Sequence, residues 1–120
     1  MIITLKALSD YCLQKKGTLA DYPFGDGVLV FKVMGKMFAL MNETETPLRI
    51  NLKCDPDLSS TLRYQYSAVQ PGYHMNKEHW NTVTIDGSIP TNEIWGMIDH
   101  SYSLVVKGLK KADQLKLKNL

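Results

Sequence analysis

The chain has 120 residues, a length typical of one globular domain. Its hydrophobic content of 44%, with two Trp, six Tyr and three Phe, is enough for a packed core and argues against intrinsic disorder. The 14 basic and 12 acidic side chains leave a net charge of +2. This balance excludes a strongly cationic nucleic-acid coat protein, although it is compatible with a local basic patch.

The first segment and the cysteines indicate a cytoplasmic protein. No run of apolar residues is long enough to span a membrane, and the amphipathic start lacks the apolar middle of a signal peptide. Cys12 and Cys54 are far apart and form no C-x-x-C pair, so we predict that both are buried free thiols. The clustered ligands of a structural zinc site are missing from the sequence, and we expect no metal and no cofactor.

The first predicted element is a helix that begins at the N-cap Thr4. Leu5, Leu8 and Cys12 follow at helical spacing, and Gly17 is typical of the left-handed residue that ends a helix. We interpret residues 22–27, which are rich in glycine and proline, as a turn.

Three strands are predicted next. Residues 28–34 and 36–42 flank the single Gly35, which indicates a β-hairpin. After a polar loop, residues 48–54 alternate strictly between apolar and polar side chains, the pattern of a strand with one buried face.

The second half of the chain predicts a helix, a strand and a helix. Asp55, followed by proline, is a typical N-cap for the second helix. A loop through residues 70–72 leads to a strand at 79–86, which is rich in β-branched residues. The third helix is predicted over 90–107, and the charged tail at 110–120 is predicted to be frayed.

These elements predict a single α+β domain over residues 1–120, with an antiparallel sheet and helices packed on one face. Strand alternation then directs a set of basic side chains and one indole to the opposite, uncovered face. Those residues are Lys32, Arg49, Lys53 and Trp80, with Lys36 and Lys77 expected near the edge. Basic groups around an aromatic ring suit a nucleic-acid backbone, although a solvated face with snorkelling lysines has the same pattern.

The histidines and acidic residues do not form a recognisable catalytic motif. His74 and His79 are five residues apart, which fits neither one helix face nor one strand face, and hydrogen bonds that organise a tight loop explain them more simply. We therefore predict that the protein is not an enzyme. The catalytic alternative would use His74, His79 or the pair Asp99-His100.

Several segments resemble the MmcQ/YjbR family of small bacterial proteins. They are PFG at 23–25, FKVMGKMFAL at 31–40, LKCDP at 52–56, QPGYHMNKEHWNTVTIDG at 70–87 and SYSLVV at 101–106. The resemblance covers nearly the whole chain in the same order and spacing. One departure is Lys16, where the family pattern has proline before Gly17, and it affects only the end of the first helix.

The resemblance implies a CyaY-like α+β fold and a DNA-binding role, with double-stranded DNA as the partner and β-hairpin wings that grip the duplex. The candidate wings are the hairpin around Gly35 and the loop and strand at 72–86. The second wing carries side chains of the kinds that contact phosphates and base edges. They are Tyr73, His74, Asn76, Lys77, His79, Trp80 and Asn81.

Three other functions compete with DNA binding. The fold includes the iron-binding frataxins, but the first helix here sets Lys6, Lys15 and Lys16 against Asp10 alone, whereas hard cations need several oxygen ligands. A small-ligand or protein-binding module would use Trp80 and the 72–81 loop as a pocket. In a scaffold protein, the same loop would be a structural latch whose polar side chains are satisfied internally.

Overall fold

The computed structural model describes residues 2–72 and 75–120 of the chain. Within these ranges the helices are α1 (Leu5–Leu13), α2 (Pro56–Gln65), α3 (Thr91–Lys107) and α4 (Lys111–Lys118). The strands are β1 (Thr18–Asp21), β2 (Val28–Val33), β3 (Lys36–Asn42), β4 (Arg49–Lys53), β5 (Val69–Pro71) and β6 (Trp80–Thr84). All of these strands pair antiparallel in one sheet of order β1-β2-β3-β4-β6-β5. The predicted α+β class is confirmed.

The caps predicted from the sequence form at the first two helices. The Thr4 side chain accepts a hydrogen bond from the backbone N–H of Ala7 at the start of α1. The Asp55 carboxylate accepts from the N–H groups of Asp57 and Leu58 at the start of α2. These bonds satisfy backbone donors that have no partner inside the helix, so each helix begins where its cap predicts.

The hairpin between β2 and β3 turns at Met34 and Gly35. Both residues have positive φ angles, 48° and 80°, which is the backbone of a type I′ turn. The register between β2 and β3 shifts after Phe31, because Phe38 is an extra residue of β3 that has no partner in β2. This β-bulge directs both Phe38 and Ala39 towards the helices, and both side chains are fully buried.

The helices cover one face of the sheet, as predicted. The core packs Leu29, Phe31 and Val33 of β2 and Ile50 and Leu52 of β4 against α1 and α3. The two cysteines are buried and unpaired, which confirms the prediction for both.

Both edge strands were missing from the prediction. β1 is exposed over three of its four positions, and β5 is only three residues long, so neither has the alternating apolar pattern of a half-buried strand. The predicted strand boundaries at 28–34, 48–54 and 79–86 each extend past the strands β2, β4 and β6 by one to three residues.

The prediction of a frayed tail was wrong, because residues 111–118 form α4. Leu117 is buried, and a Cβ atom placed on Gly17 would lie only 2.5 Å from its Cδ1 atom. The Lys16 ammonium group also donates to the carbonyl of Lys118 at 2.9 Å. One buried leucine in a charged segment is too weak a sequence pattern to indicate this packing.

No helix in the described ranges is long and apolar enough to cross a lipid bilayer.

Candidate nucleic-acid interface

The sheet face opposite the helices, called the open face below, holds the basic side chains that alternation predicted. In the antiparallel register Lys53 lies opposite Trp80, and Arg49 lies opposite Thr84. In the neighbouring pair of strands, Lys32 of β2 lies opposite Met37 of β3. Because directly opposed residues project to the same side of a sheet, Lys32, Arg49, Lys53 and Trp80 share the open face.

Two of these cations have acidic neighbours at the surface. The Lys32 ammonium group is 3.6 Å from an Asp21 carboxylate oxygen, and the Arg49 guanidinium is 3.8 Å from Glu45. Both pairs are partly exposed, and such pairs contribute about 0–1 kcal/mol, so breaking either of them costs little. Within the described ranges, Lys53 has no ion pair.

A groove of about 570 Å³ runs across the centre of the open face. Its lining is Phe24, Val28, Met37, Leu40, Asn42, Glu45, Arg49, Asn51, Met75 and Thr82. Asn51 donates from its amide to the Leu40 carbonyl at 3.3 Å and accepts from the Thr82 hydroxyl at 2.6 Å. These bonds fix the polar side chains of the β4–β6 wall against the apolar floor.

The groove was not predicted, because the β-bulge changes the alternation of β3. Met37 and Leu40 are three residues apart and would lie on opposite faces of a regular strand, yet both line the groove. The sequence does not mark the bulge, because Phe38 and Ala39 stand within five consecutive apolar residues at 37–41. Val30 lies on the open face opposite Leu40 and is fully buried.

Lys36 does not lie on the open face. It is the residue opposite Val33, whose side chain is in the core, so the register directs Lys36 to the helix-covered side at the hairpin tip. The expectation that it lies beside the open-face cations is therefore corrected. The reason is the two-residue turn at Met34 and Gly35, which pairs Lys36 with the core-facing Val33 instead of with Met34.

The loop at 75–79 is held by its own polar groups and by α2. Asn76 accepts through its side chain from the N–H groups of Glu78 and His79, while Lys77 and His79 are exposed. Tyr73 and His74 were also predicted site residues, and they lie outside the described residues. The predicted loop residues therefore divide into a turn-forming asparagine and exposed basic groups.

Arg63 of α2 joins this loop to the sheet. Its guanidinium donates to the Asn81 side chain at 2.9 Å, to the Lys77 carbonyl at 2.6 Å and to the Trp80 carbonyl at 3.3 Å. Asn81 is only 2% exposed and also donates to the Ser59 hydroxyl, so it faces the helices. Internal hydrogen bonding of this kind is what the latch alternative expects for Asn81, and sequence reasoning missed the part played by Arg63.

Trp80 occupies the start of β6 beside a close backbone contact. The Gly72 N–H donates to the Trp80 carbonyl at 2.7 Å, and a Cβ atom on Gly72 would lie 2.8 Å from the Trp80 Cβ atom. Only glycine allows this approach without a shift of the backbone. The half-buried indole is thereby fixed next to Lys53 on the open face.

Asp99 and His100, the residues of the catalytic alternative, are bonded to different partners. Asp99 accepts from the Tyr11 hydroxyl at 2.7 Å and forms an ion pair with Lys15. His100 accepts through Nε2 from the Asp55 N–H at 3.1 Å. The two side chains are thus separately engaged and form no acid–base pair with each other.

A second cavity of about 250 Å³ lies between α2 and α3, where Cys54 and His100 contribute to its mostly apolar lining. Burial raises the pKa of the Cys54 thiol, and a raised pKa lowers the fraction of reactive thiolate. Among the residues of the described ranges, no group of three His, Cys, Asp or Glu side chains is placed to hold a metal ion.

These features define a small α+β protein with helices on one sheet face and a basic, grooved surface on the other. The family model described as YjbR matches residues 13–104. The uncharacterized protein YjbR of Escherichia coli strain K12 is 36% identical over 104 residues, which cover 87% of this chain and 88% of that protein. The uncharacterized protein YbdF of Escherichia coli O157:H7 is 41% identical over 97 residues, which cover 81% of this chain and 80% of that protein. The chain belongs to the YjbR family, as its sequence blocks indicated.

A solved structure has the same fold. The crystal structure of protein DR2400 of Deinococcus radiodurans, described as a DUF419 domain, is similar with a TM-score of 0.92 and 39% sequence identity. The match covers 98% of this chain and 89% of that chain. The similarity therefore extends over the sheet and its helices together.

Proposed function

We propose that the protein binds DNA through the open face, with double-stranded DNA as its partner. The observation that carries the proposal is the strand register that brings Lys32, Arg49, Lys53 and Trp80 to the sheet face opposite the helices. Cations on one face neutralise phosphates and release counterions, which is the main source of sequence-independent affinity for DNA.

Two segments, a hairpin and a loop, act as the wings of the proposed complex. The first is the β2–β3 hairpin, which carries exposed Lys36 at its tip. The second is the loop before β6, where exposed Lys77 and His79 supply donors for phosphate oxygens. Arg63 holds that second loop in place and is a positioning residue in this proposal.

The proposal includes neither a catalytic step nor a cofactor. It places the protein in the cytoplasm, where free thiols such as the buried Cys12 and Cys54 remain reduced. The net charge of +2 implies weak binding at physiological salt and stronger binding at low salt.

Fluorescence anisotropy with labelled duplex DNA tests the proposal. The triple variant K32A/R49A/K53A is expected to bind at least tenfold more weakly than the unchanged protein. The matched control K107A/K111A/K116A removes the same charge from exposed positions on α3 and α4 and is expected to bind nearly normally. The proposal is wrong if the unchanged protein at micromolar concentration fails to bind DNA at low salt.

A further inference from the structure

The groove on the open face has features that phosphate contacts alone do not explain. Its floor is apolar and consists of Val28, Met37 and Leu40, and its rim carries Phe24, whose side chain is 66% exposed. A volume of about 570 Å³ falls within the range typical of small-ligand sites. An exposed phenylalanine beside an apolar floor is a surface on which a planar ring can stack.

Polar side chains lie along the edge of this apolar floor. Arg49 supplies guanidinium donors and Glu45 supplies carboxylate acceptors at one end. Asn51 is held by bonds to Leu40 and Thr82, so its amide has a fixed orientation on the wall. Guanidinium, carboxylate and amide groups are the ones that hydrogen-bond the edges of nucleobases.

The cations flank the floor. Met37 and Leu40 belong to β3, whereas Lys32 lies on β2 and Arg49 on β4, the strands on either side. Neighbouring strands are about 4.8 Å apart, so the two strands that carry Lys32 and Arg49 are separated by about 10 Å, with the β3 part of the floor between them. A ring on the floor would thus have cationic groups on both sides for the phosphates that flank it in a nucleic-acid chain.

We propose that this groove holds one unpaired nucleobase of the DNA that the open face binds. The inference rests on the proposed DNA binding and deepens it, because it identifies the structural feature in the DNA that is recognised. A paired base must first leave the stack at a cost in free energy, whereas a bulged base is already available. DNA with an unpaired base is therefore the preferred ligand over a fully paired duplex.

The test compares a fully paired duplex with the same duplex carrying one bulged nucleotide. In fluorescence anisotropy the bulged duplex is expected to bind roughly tenfold more tightly, in keeping with the contribution of one stacked base. Equal affinities for the two duplexes would overturn the inference while leaving DNA binding intact. Absence of binding to both would instead remove the proposed function, and the inference with it.

Substitutions of exposed aromatic residues show which part of the surface produces the preference for the bulged duplex. Phe24→Ala is expected to abolish the preference for the bulged duplex without changing the affinity for the paired one. Tyr64→Ala, the matched control on α2 with a side chain that is 84% exposed, is expected to change neither affinity. Retention of the full preference in Phe24→Ala would contradict a base stacked in the groove.

Two further measurements use the unchanged protein. A fluorescent base analogue at the bulge is expected to become protected from a soluble quencher when the protein binds, and an unprotected analogue would overturn the inference. Free adenosine and guanosine monophosphates are expected to bind much more weakly than the bulged duplex. If either binds as tightly, the groove is a site for a free nucleotide and the inference is wrong.

Discussion

Ser101 connects α3 to the sheet at a point where the hydrogen-bond ladder between β3 and β4 is interrupted. Its hydroxyl donates to the Phe38 carbonyl at 2.6 Å and accepts from the Lys53 N–H at 2.8 Å. These two backbone groups lie beyond the last β3–β4 pair, Ala39 with Leu52, where the β-bulge has interrupted the ladder. Since Ser101 is fully buried, its hydroxyl supplies partners for one N–H and one C=O that the interrupted ladder leaves unpaired and that water cannot reach.

Ser101→Ala is therefore expected to lower the free energy of unfolding by about 1–3 kcal/mol, because it leaves two polar backbone groups without a partner. Urea denaturation followed by circular dichroism measures this change. Ser103→Ala on the same helix is the control, since Ser103 is exposed and its loss is expected to be nearly neutral. Equal effects of the two substitutions would show that the bridge has no energetic role.

The buried thiol of Cys12 makes the free energy of unfolding depend on pH. Burial raises the pKa of its thiol from the ordinary value of 9.0 to about 12, against the smaller opposing effect of Lys15. The folded state then holds the proton more tightly than the unfolded state. Its contribution to stability is complete below pH 9 and is lost as the pH rises towards 12.

Cys12→Ala is expected to flatten the decline of the unfolding free energy between pH 9 and pH 12, a decline on the order of a few kcal/mol in the unchanged protein. Urea midpoints at several pH values in this window test the expectation. Tyr11 adds a smaller decline above pH 10, because burial and its bond to Asp99 raise its pKa from 10.0 to about 12 but solvent screens this group more than the Cys12 thiol. A slope unchanged in Cys12→Ala would contradict the buried, protonated thiol.

At the scale of elements, the sequence was informative wherever neighbouring residues alone decide the local structure. Thr4 and Asp55 cap their helices, and the Gly35 hairpin forms, because backbone geometry and side-chain bonding at these places are decided by neighbouring residues. β1 and α4 are stabilised by contacts with distant residues instead. The pairing of β1 with β2 and the packing of Leu117 over Gly17 have no counterpart in the local pattern.

Leu117→Ala is expected to cost about 2–5 kcal/mol of unfolding free energy, as for other buried leucines. Leu115→Ala removes the same atoms from the same helix at a position that is 60% exposed, so its cost should be small. Thermal denaturation of both variants tests whether α4 is an integral part of the fold. Two equally small effects would mean that the C-terminal segment contributes nothing to stability.

At the scale of the whole molecule, alternation was enough to assign Lys32, Arg49, Lys53 and Trp80 to one face, because their own strands are regular at those positions. It failed for Lys36, which pairs with the core-facing Val33, and it could not place Met37 and Leu40 on one face, because the extra residue Phe38 lies between them. The basic surface could thus be predicted and the groove within it could not.

Arg63 illustrates a second limit on prediction. Its guanidinium lies on α2 but bonds the backbone of the loop and the side chain of Asn81, 18 residues further along the chain. In the sequence Arg63 is only one charged residue in the last turn of a helix. Its role depends on how α2 packs against the sheet, which local periodicity does not determine.

The most direct test of the account is the salt dependence of duplex DNA binding by the unchanged protein and by K32A/R49A/K53A. The logarithm of the binding constant falls with the logarithm of salt concentration by about 0.9 per neutralised phosphate. If each of the three cations contacts one phosphate, the triple variant should show a slope smaller in magnitude by about 2.7. An identical slope in the two proteins, with weaker or unchanged binding, would contradict a DNA interface on the open face.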